Sequence, residues 1–106
     1  MPPHPELLAR VRLLLADRAD VVEGRMVGGV SFTVGGRLAC GVTSAGLAVR
    51  VGRNAVAAAA TEPHVGPLTM GGRPLVAYVL VDPAGCGDEA ALQGWLDRGL
   101  AAAGRP

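Results

Sequence analysis

The sequence predicts an α+β fold in which an antiparallel five-stranded sheet forms one layer and helices form the other, in the order α-β-β-β-α-β-β-α. Three observations predict it. Apolar residues recur at helical spacing near both ends of the chain, they alternate with polar residues in the middle, and short glycine or proline turns separate the alternating runs. Strands joined by short turns pair antiparallel, so the helices are expected on one face of the sheet.

Two amphipathic helices are predicted, one over residues 5–18 and one over about residues 88–103. Pro5 suits the first turn of the first helix, because the N–H that proline lacks has no partner there. Trp95 lies on the apolar stripe of the last helix, and we expect it to be buried against the sheet. The two stripes are Leu7, Leu8, Val11, Leu14 and Leu15, and Ala91, Leu92, Trp95, Leu96 and Leu100.

A tight hairpin is predicted at Gly35-Gly36, because a type I′ turn requires positive φ at both central residues. This turn places Val34 opposite Arg37, Phe32 opposite Ala39 and Val30 opposite Gly41, on the expected core face. The other face then carries Ser31, Thr33, Leu38 and Cys40, and a bulge or bend is expected at Gly28-Gly29.

The remaining elements are predicted from the same two patterns, apolar residues at helical spacing and apolar residues that alternate with polar ones. A third strand is predicted over residues 46–51 and an alanine-rich helix over residues 53–60. A short strand over residues 65–70 and an apolar strand over residues 75–81 complete the sheet, and Asp82-Pro83 ends the last strand.

Length, charge and cysteine content narrow the class of protein. A chain of 106 residues fits one domain, residues 1–106. A net charge of +1 and the lack of a helix-turn-helix pattern argue against direct DNA binding. The N-terminal residues lack the basic and apolar pattern of a secretory signal, and no apolar run is long enough to span a bilayer, so we expect neither a signal peptide nor membrane contact. Two cysteines without CxxC spacing indicate a reducing cytoplasm.

Three patterns that could indicate catalysis or cofactor binding are weak. Ser44 misses the G-x-S-x-G nucleophile spacing by one position and follows an antiparallel strand. The G-x-G-x-x-A pattern at residues 85–90 has two acidic residues where a pyrophosphate would lie. A zinc site or a Cys40–His64 nucleophile pair would need residues that are far apart in sequence: His4, Cys40, His64 and Cys86. We therefore expect no metal, no cofactor and reduced thiols, and we favour a protein that is not an enzyme.

Arginines are the polar residues with the most functional potential. Arg25 and Arg73 lie beside glycine-rich bends that could bring backbone N–H groups near an anion. Ordinary pairing with Glu23, Glu62 or Asp82 is the alternative explanation. If the arginines converge on a pocket with His64, an anionic ligand is favoured; if they are scattered, a partner protein is favoured. The candidate binding residues are Arg25, Arg37, Arg50, His64 and Arg73.

The order of several short motifs over residues 6–103 resembles the TfoX N-terminal domain family. Val27 stands where that family usually has an aromatic residue. The resemblance implies a two-layer, secretion-chaperone-like fold and a relation to regulators of genetic competence, in which a second domain follows this one. The motifs are Arg25-Met-Val-Gly-Gly-Val-Ser-Phe32, Gly36-Arg-Leu-Ala-Cys-Gly-Val42, Leu47-Ala-Val-Arg-Val-Gly52, Pro63-His-Val65, Met70-Gly-Gly-Arg-Pro74 and Trp95.

The expected function is that of a non-enzymatic regulatory module, acting through protein contacts or as a homodimer. Residues 26–49 contain a single charged residue, Arg37, so charge gives this part of the sheet little protection against association. We expect a homodimer buried through this region, with Arg25 or Arg50 at its rim, and we expect a charge at Leu38 to weaken it. The alternative is a small anion-binding domain or small enzyme that uses clustered arginines.

Overall fold

The structure is a computed structural model that describes residues 1–105, so Pro106 of the expected domain lies outside the described residues. Helices and strands fall close to the predicted positions. Short 3-10 turns precede α2, at Arg53–Ala55, and α3, at Pro83–Cys86. The elements are α1 (Pro5–Leu15), β1 (Val21–Met26), β2 (Gly29–Val34), β3 (Arg37–Thr43), β4 (Leu47–Arg50), α2 (Val56–Ala59), β5 (Val65–Met70), β6 (Arg73–Val81) and α3 (Glu89–Ala103).

The sheet has six strands where five were predicted, and every pairing is antiparallel, in the order β1-β2-β3-β4-β6-β5. The additional strand is β1, which pairs with β2 along its full length, from Val21 opposite Val34 to Met26 opposite Gly29. It lies at the edge of the sheet, and four of its six residues are exposed. An exposed edge strand lacks the apolar alternation from which strands are predicted, and Gly24 lowers its strand propensity further.

One face of the sheet packs against α1 and α3, and the core lies between these layers. Leu7, Val11 and Leu15 of α1 join the same buried cluster as Leu92 and Leu96 of α3. Trp95 is 8% exposed, which confirms the expectation that it is buried. The sheet contributes Phe32, Cys40, Val42, Leu47, Val49, Val79 and Val81 to this cluster.

The register of the β2–β3 hairpin shifts next to the predicted turn. Gly35 and Gly36 have φ of 59° and 80°, as a type I′ turn requires, and Val34 pairs with Arg37 as predicted. Beyond Thr33, however, Phe32 pairs with Cys40, because Ala39 is an extra residue in β3. The bulge of this hairpin therefore lies at Ala39, whereas Gly28, with a φ of 78°, lies in the β1–β2 turn, so the expected change of direction there is a turn and not a bulge.

The Ala39 bulge changes the face on which two predicted residues lie. Gly41 pairs with Ser31 on the face opposite the core, so its predicted position opposite Val30 on the core face was wrong. Cys40 pairs with Phe32 and is fully buried in the core, so its assignment to the face opposite the core was wrong. Ser31, Thr33 and Leu38 do share that opposite face, as predicted. A single inserted residue exchanges the two faces for everything that follows it in the strand, and turn geometry does not reveal such an insertion.

The second face of the sheet carries no helix, and we call it the open face. Small residues lie at its centre, with Ser31, Gly41 and Ala48 all buried. The Met26 side chain covers Gly41 so closely that a Cβ there would lie 2.5 Å from Met26 Sδ. Of the β1–β4 residues that alternate onto this face, Arg50 alone is charged. None of the helices within residues 1–105 is long and apolar enough to cross a membrane.

Candidate functional site: an arginine cleft and a neutral groove

Arg50, the last residue of β4, is held in one orientation by three contacts. Its Nε donates a 2.7 Å hydrogen bond to the carbonyl oxygen of Leu38, and its Nη2 donates one of 2.6 Å to the hydroxyl of Tyr78. The guanidinium also lies 4.9 Å from the centre of the Tyr78 ring, close enough for a cation–π contact. A guanidinium fixed in this way loses little further entropy when it binds an anion.

Three more arginines line the same cleft as Arg50. Arg37 begins β3, Arg53 lies in the 3-10 turn after β4, and Arg105 follows the end of α3. Arg37 donates a hydrogen bond to the carbonyl oxygen of Arg105, which ties the start of β3 to the end of α3. The cleft has a volume of about 480 Å³, within the usual range of small-molecule sites. We call it the arginine cleft.

Small residues and one amide form the rest of the arginine cleft: Gly52, Asn54, Ala77 and Ala102. Ala77 has a φ of 78°, a left-handed conformation that costs a residue with a Cβ about 1 kcal/mol. The Ala77 carbonyl oxygen accepts hydrogen bonds from the N–H groups of Val51 and Gly52, at 2.8 and 3.1 Å. These two bonds hold β6 in its strained conformation at the wall of the cleft.

No carboxylate in residues 1–105 forms an ion pair with the four cleft arginines. The ion pairs of the described chain are Arg12–Glu23, Arg18–Asp20 and Arg98–Glu62, all on exposed side chains. The hydrogen bond from Arg12 lowers the pKa of the Glu23 carboxyl group, so this acid is already satisfied. The proposed pairing of the candidate arginines with Glu23, Glu62 or Asp82 is therefore not seen.

Asp82 and Asp97 also accept hydrogen bonds from other groups of the chain. Asp82 accepts a 3.0 Å hydrogen bond from the backbone N–H of Ala84. Asp97 lines a neighbouring cavity together with Arg105, but it accepts a hydrogen bond from Gln93 and lies outside the arginine cleft. The cleft thus concentrates positive charge in a chain whose net charge is only +1.

The structure brings together two of the five predicted binding residues, Arg37 and Arg50, and leaves the other three outside the arginine cleft. Arg25 lies in the edge strand β1, and Arg73 begins β6 after the Gly71-Gly72 turn. His64 precedes β5 with a φ of 66°, and its carbonyl oxygen accepts a 2.8 Å hydrogen bond from Asp82. Of the two alternatives, the arginines therefore do not converge on a pocket with His64, although two of them share the arginine cleft.

Arg53 and Arg105 complete the cleft and were not predicted. Each lies just beyond a strand or helix. From sequence alone, an arginine at such a position is interpreted as a solvent-exposed residue at the end of the element. A signal was present, because Arg50 and Arg53 flank Gly52, whose φ of 94° turns the chain sharply after β4. The approach of Arg105 depends on the angle at which α3 crosses the sheet, and no local pattern encodes that angle.

A second concavity, which we call the neutral groove, lies on the open face. It has a volume of about 350 Å³ and is lined by residues of three turns, those of β1–β2, β3–β4 and β5–β6. None of its described lining residues is charged. These residues are Met26, Val27, Gly28, Thr43, Ser44, Ala45, Leu68, Thr69, Met70, Gly71 and Leu80.

The residues considered for metal binding and nucleophilic catalysis occupy structural positions. Cys40 and Cys86 are free and fully buried, and burial raises the pKa of their thiols to about 12 and about 11. The His4 Nδ1 caps α1 by accepting a hydrogen bond from the N–H of Leu7. Residues 1–105 contain no group of three or more potential metal ligands.

Comparisons with known proteins give one match. Neither a curated protein nor a solved structure matches the chain. The family model described as the TfoX N-terminal domain matches residues 13–103, which is most of the sequence and includes every strand as well as α3. That match confirms the resemblance carried by the ordered motifs, and the chain belongs to the TfoX N-terminal domain family.

Proposed function

We propose that this protein is a non-enzymatic regulatory module of the cytoplasm that acts through protein–protein contacts, and that its first partner is a second copy of itself. Membership of the TfoX N-terminal domain family supports the regulatory role. Two free, buried thiols fit a reducing compartment. In the described chain, no hydrogen bond joins a serine, threonine or cysteine side chain to a histidine or a carboxylate, the arrangement that an activated nucleophile needs.

The observation that carries the proposal is the neutral, apolar character of the open face. Val27 at the β1–β2 turn is 82% exposed, Val22 in β1 is 62% exposed, and Met70 beside the neutral groove is 39% exposed. Apolar side chains gathered at a groove gain free energy when a partner covers them, at roughly 25 cal/mol for each Å² removed from water. A protein partner is the simplest cover for a surface of this kind.

Charge favours a second copy as that partner. A two-fold contact places the same patch on both sides, so every charge in the patch meets an equal charge nearby. The lining of the neutral groove carries no charge, and this contact therefore has no electrostatic cost. The arginine cleft would repel a copy of itself. In this arrangement Arg50, at the far end of the open face, lies at the rim, whereas Arg25 alternates onto the helix-covered face.

The test is the molar mass in solution, measured by light scattering from 1 to 100 µM, roughly the range in which weak dimers dissociate. We expect twice the 10.7 kDa chain mass at the upper end of this range. Val27→Glu should shift dissociation to at least tenfold higher concentration, because it places two carboxylates at the two-fold contact. Val27 is exposed, so this substitution leaves the fold intact.

Leu13→Glu provides the matched control for that experiment. Leu13 is also a large exposed apolar residue, 77% exposed, but it lies on α1, on the other side of the sheet. Leu13→Glu should leave the dissociation constant of the dimer unchanged. A monomer mass at every concentration, or an equal effect of the two substitutions, would reject a dimer formed through the open face. Leu38→Glu tests the outer part of the same face and should also weaken the dimer.

A further inference from the structure

We propose that the arginine cleft is a binding site for a compact polyanion of small-molecule size, bound through phosphate or carboxylate groups. The site is separate from the neutral groove and lies at the opposite end of the β3–β4 hairpin, since Arg37 begins β3 and Arg50 ends β4 while residues 43–45 of the connecting turn line the groove.

The first argument is the number of charges in one small volume. Four arginine residues from four separate segments line a cleft of about 480 Å³, and no acidic residue is among the described lining residues. Like charges at close range repel one another, and an anion with two or more negative charges converts that repulsion into attraction. Guanidinium groups match phosphate and carboxylate oxygens in geometry and can bind them with two parallel hydrogen bonds.

Interactions among residues 1–105 do not account for this cluster. The C-terminal end of α3 carries the equivalent of roughly half a negative charge, which explains the position of Arg37 on the Arg105 carbonyl oxygen. That partial charge cannot balance four cations. Arg53 and Arg105 donate no side-chain hydrogen bond to any described residue, so their donors are free for a ligand.

The second argument is preorganisation. Arg50 is fixed by Leu38 and Tyr78, and its Nη1 donates no hydrogen bond to a described residue. Gly52, Ala77 and Ala102 line the cleft without adding bulky side chains to it. Ala77 lies in a strained conformation at the wall of the cleft. Strained backbone conformations of this kind are typical of binding and catalytic sites. Together these features favour a small ligand held in a formed cleft.

Size and total charge select a small molecule over a nucleic acid. A net charge of +1 gives little attraction for a long polyanion, and the arginines line one open cleft and form no stripe along the surface. A ligand with two adjacent phosphate groups carries enough negative charge and enough acceptor oxygens to contact several of the four arginines at once.

The experiment is titration calorimetry at low ionic strength with inorganic pyrophosphate as the probe and citrate as a second arm. Binding of pyrophosphate in preference to citrate assigns the site to phosphate ligands, and the reverse preference assigns it to carboxylate ligands. Arg53→Gln should weaken binding about tenfold, the usual effect of losing one charge-assisted hydrogen bond, and Arg53→Gln with Arg105→Gln should abolish it.

Arg73→Gln is the matched control, because it changes the net charge by the same amount and lies outside the cleft. It should change the affinity less than twofold. The proposal is overturned if neither probe binds, if Arg73→Gln and Arg53→Gln have equal effects, or if a 16-base-pair DNA duplex binds more tightly than pyrophosphate. Thermal unfolding of each variant establishes that the fold is retained. Val27→Glu should leave pyrophosphate binding unchanged, so this site can fail without affecting the dimer proposal.

Discussion

The neutral groove and the arginine cleft occupy the two ends of the same β3–β4 hairpin and have opposite physical character. The groove is apolar and uncharged, so it can be covered by a surface like itself. The cleft holds four cations, so it requires something unlike itself. The difference teaches that a net charge of +1 describes neither region, because it averages a neutral surface with a strongly basic one.

The largest expected effect concerns the contact of α3 with the sheet, on which the cleft depends and the groove does not. A Cβ at Gly99 would lie 2.5 Å from the carbonyl oxygen of Ala39, so Gly99→Ala must push α3 away from the β3 bulge. We expect a loss of about 2 kcal/mol in the free energy of unfolding and weaker pyrophosphate binding, because Ala102 and Arg105 move with the helix. Urea unfolding measures the first effect and calorimetry the second.

Gly94→Ala is the control in the same helix. A Cβ at Gly94 meets no atom within 4 Å, so alanine should stabilise α3 by roughly 0.5–1 kcal/mol through its higher helix propensity. Equal stabilities for the two variants would show that α3 does not approach β3 as closely as described.

The second test separates the two regions by ionic strength. Between 50 and 500 mM NaCl, pyrophosphate binding should weaken at least tenfold, because the Debye length falls from about 14 to about 4 Å. The dissociation constant of the dimer should change less than twofold, because the contact between the two copies is uncharged. Both dissociation constants can be measured on the same preparation, and equal salt dependence would remove the distinction between groove and cleft.

The smallest effect concerns the core that lies beneath both regions. Burial raises the pKa of Cys40 to about 12 from 9.0, so the folded state favours the neutral thiol. Stability from this residue is fully present below pH 9 and is lost as the pH rises toward 12, because the unfolded chain releases the proton first. We expect the free energy of unfolding to fall by about 1 kcal/mol between pH 8 and pH 10 on account of Cys40.

Cys40→Ala isolates that contribution. The variant is less stable overall, but its free energy of unfolding should fall less steeply over the same pH interval when measured by urea unfolding. Identical slopes for the variant and the parent chain would mean that water reaches Cys40.

Sequence patterns predicted most of the fold because the deciding signals were local. The Gly35-Gly36 turn, the stripe around Trp95 and the apolar run of β6 each determine an element within a few residues. The two failures have different causes: β1 has little apolar patterning of its own, and the bulge depends on a contact that is distant in sequence. The edge strand β1 exists because β2 offers it hydrogen bonds, and the Ala39 bulge accommodates the close approach of Gly99.

The candidate site was predicted less completely than the fold, because its residues are distant from one another in sequence. Arg37 and Arg50 were identified as polar residues at strand positions, but the cleft arises where the ends of β3, β4 and α3 converge. His64 was grouped with the arginines on chemical grounds alone, and the structure places it beside Gly85, against the turn that precedes α3. The secretion-chaperone-like architecture implied by the family stays a prediction.

The strand order β1-β2-β3-β4-β6-β5 has a consequence for the folding pathway. Four of the five strand pairings join neighbours in sequence and can form as hairpins with short loops, at low entropic cost. The β4–β6 pairing alone skips a strand, and it closes a loop that contains α2 and β5. We expect this closure to be the slow step, with two preformed strand units docking along Leu47–Arg50. The rate-limiting event and the assembly of the arginine cleft would then coincide, because Arg50 and Tyr78 meet in that same pairing.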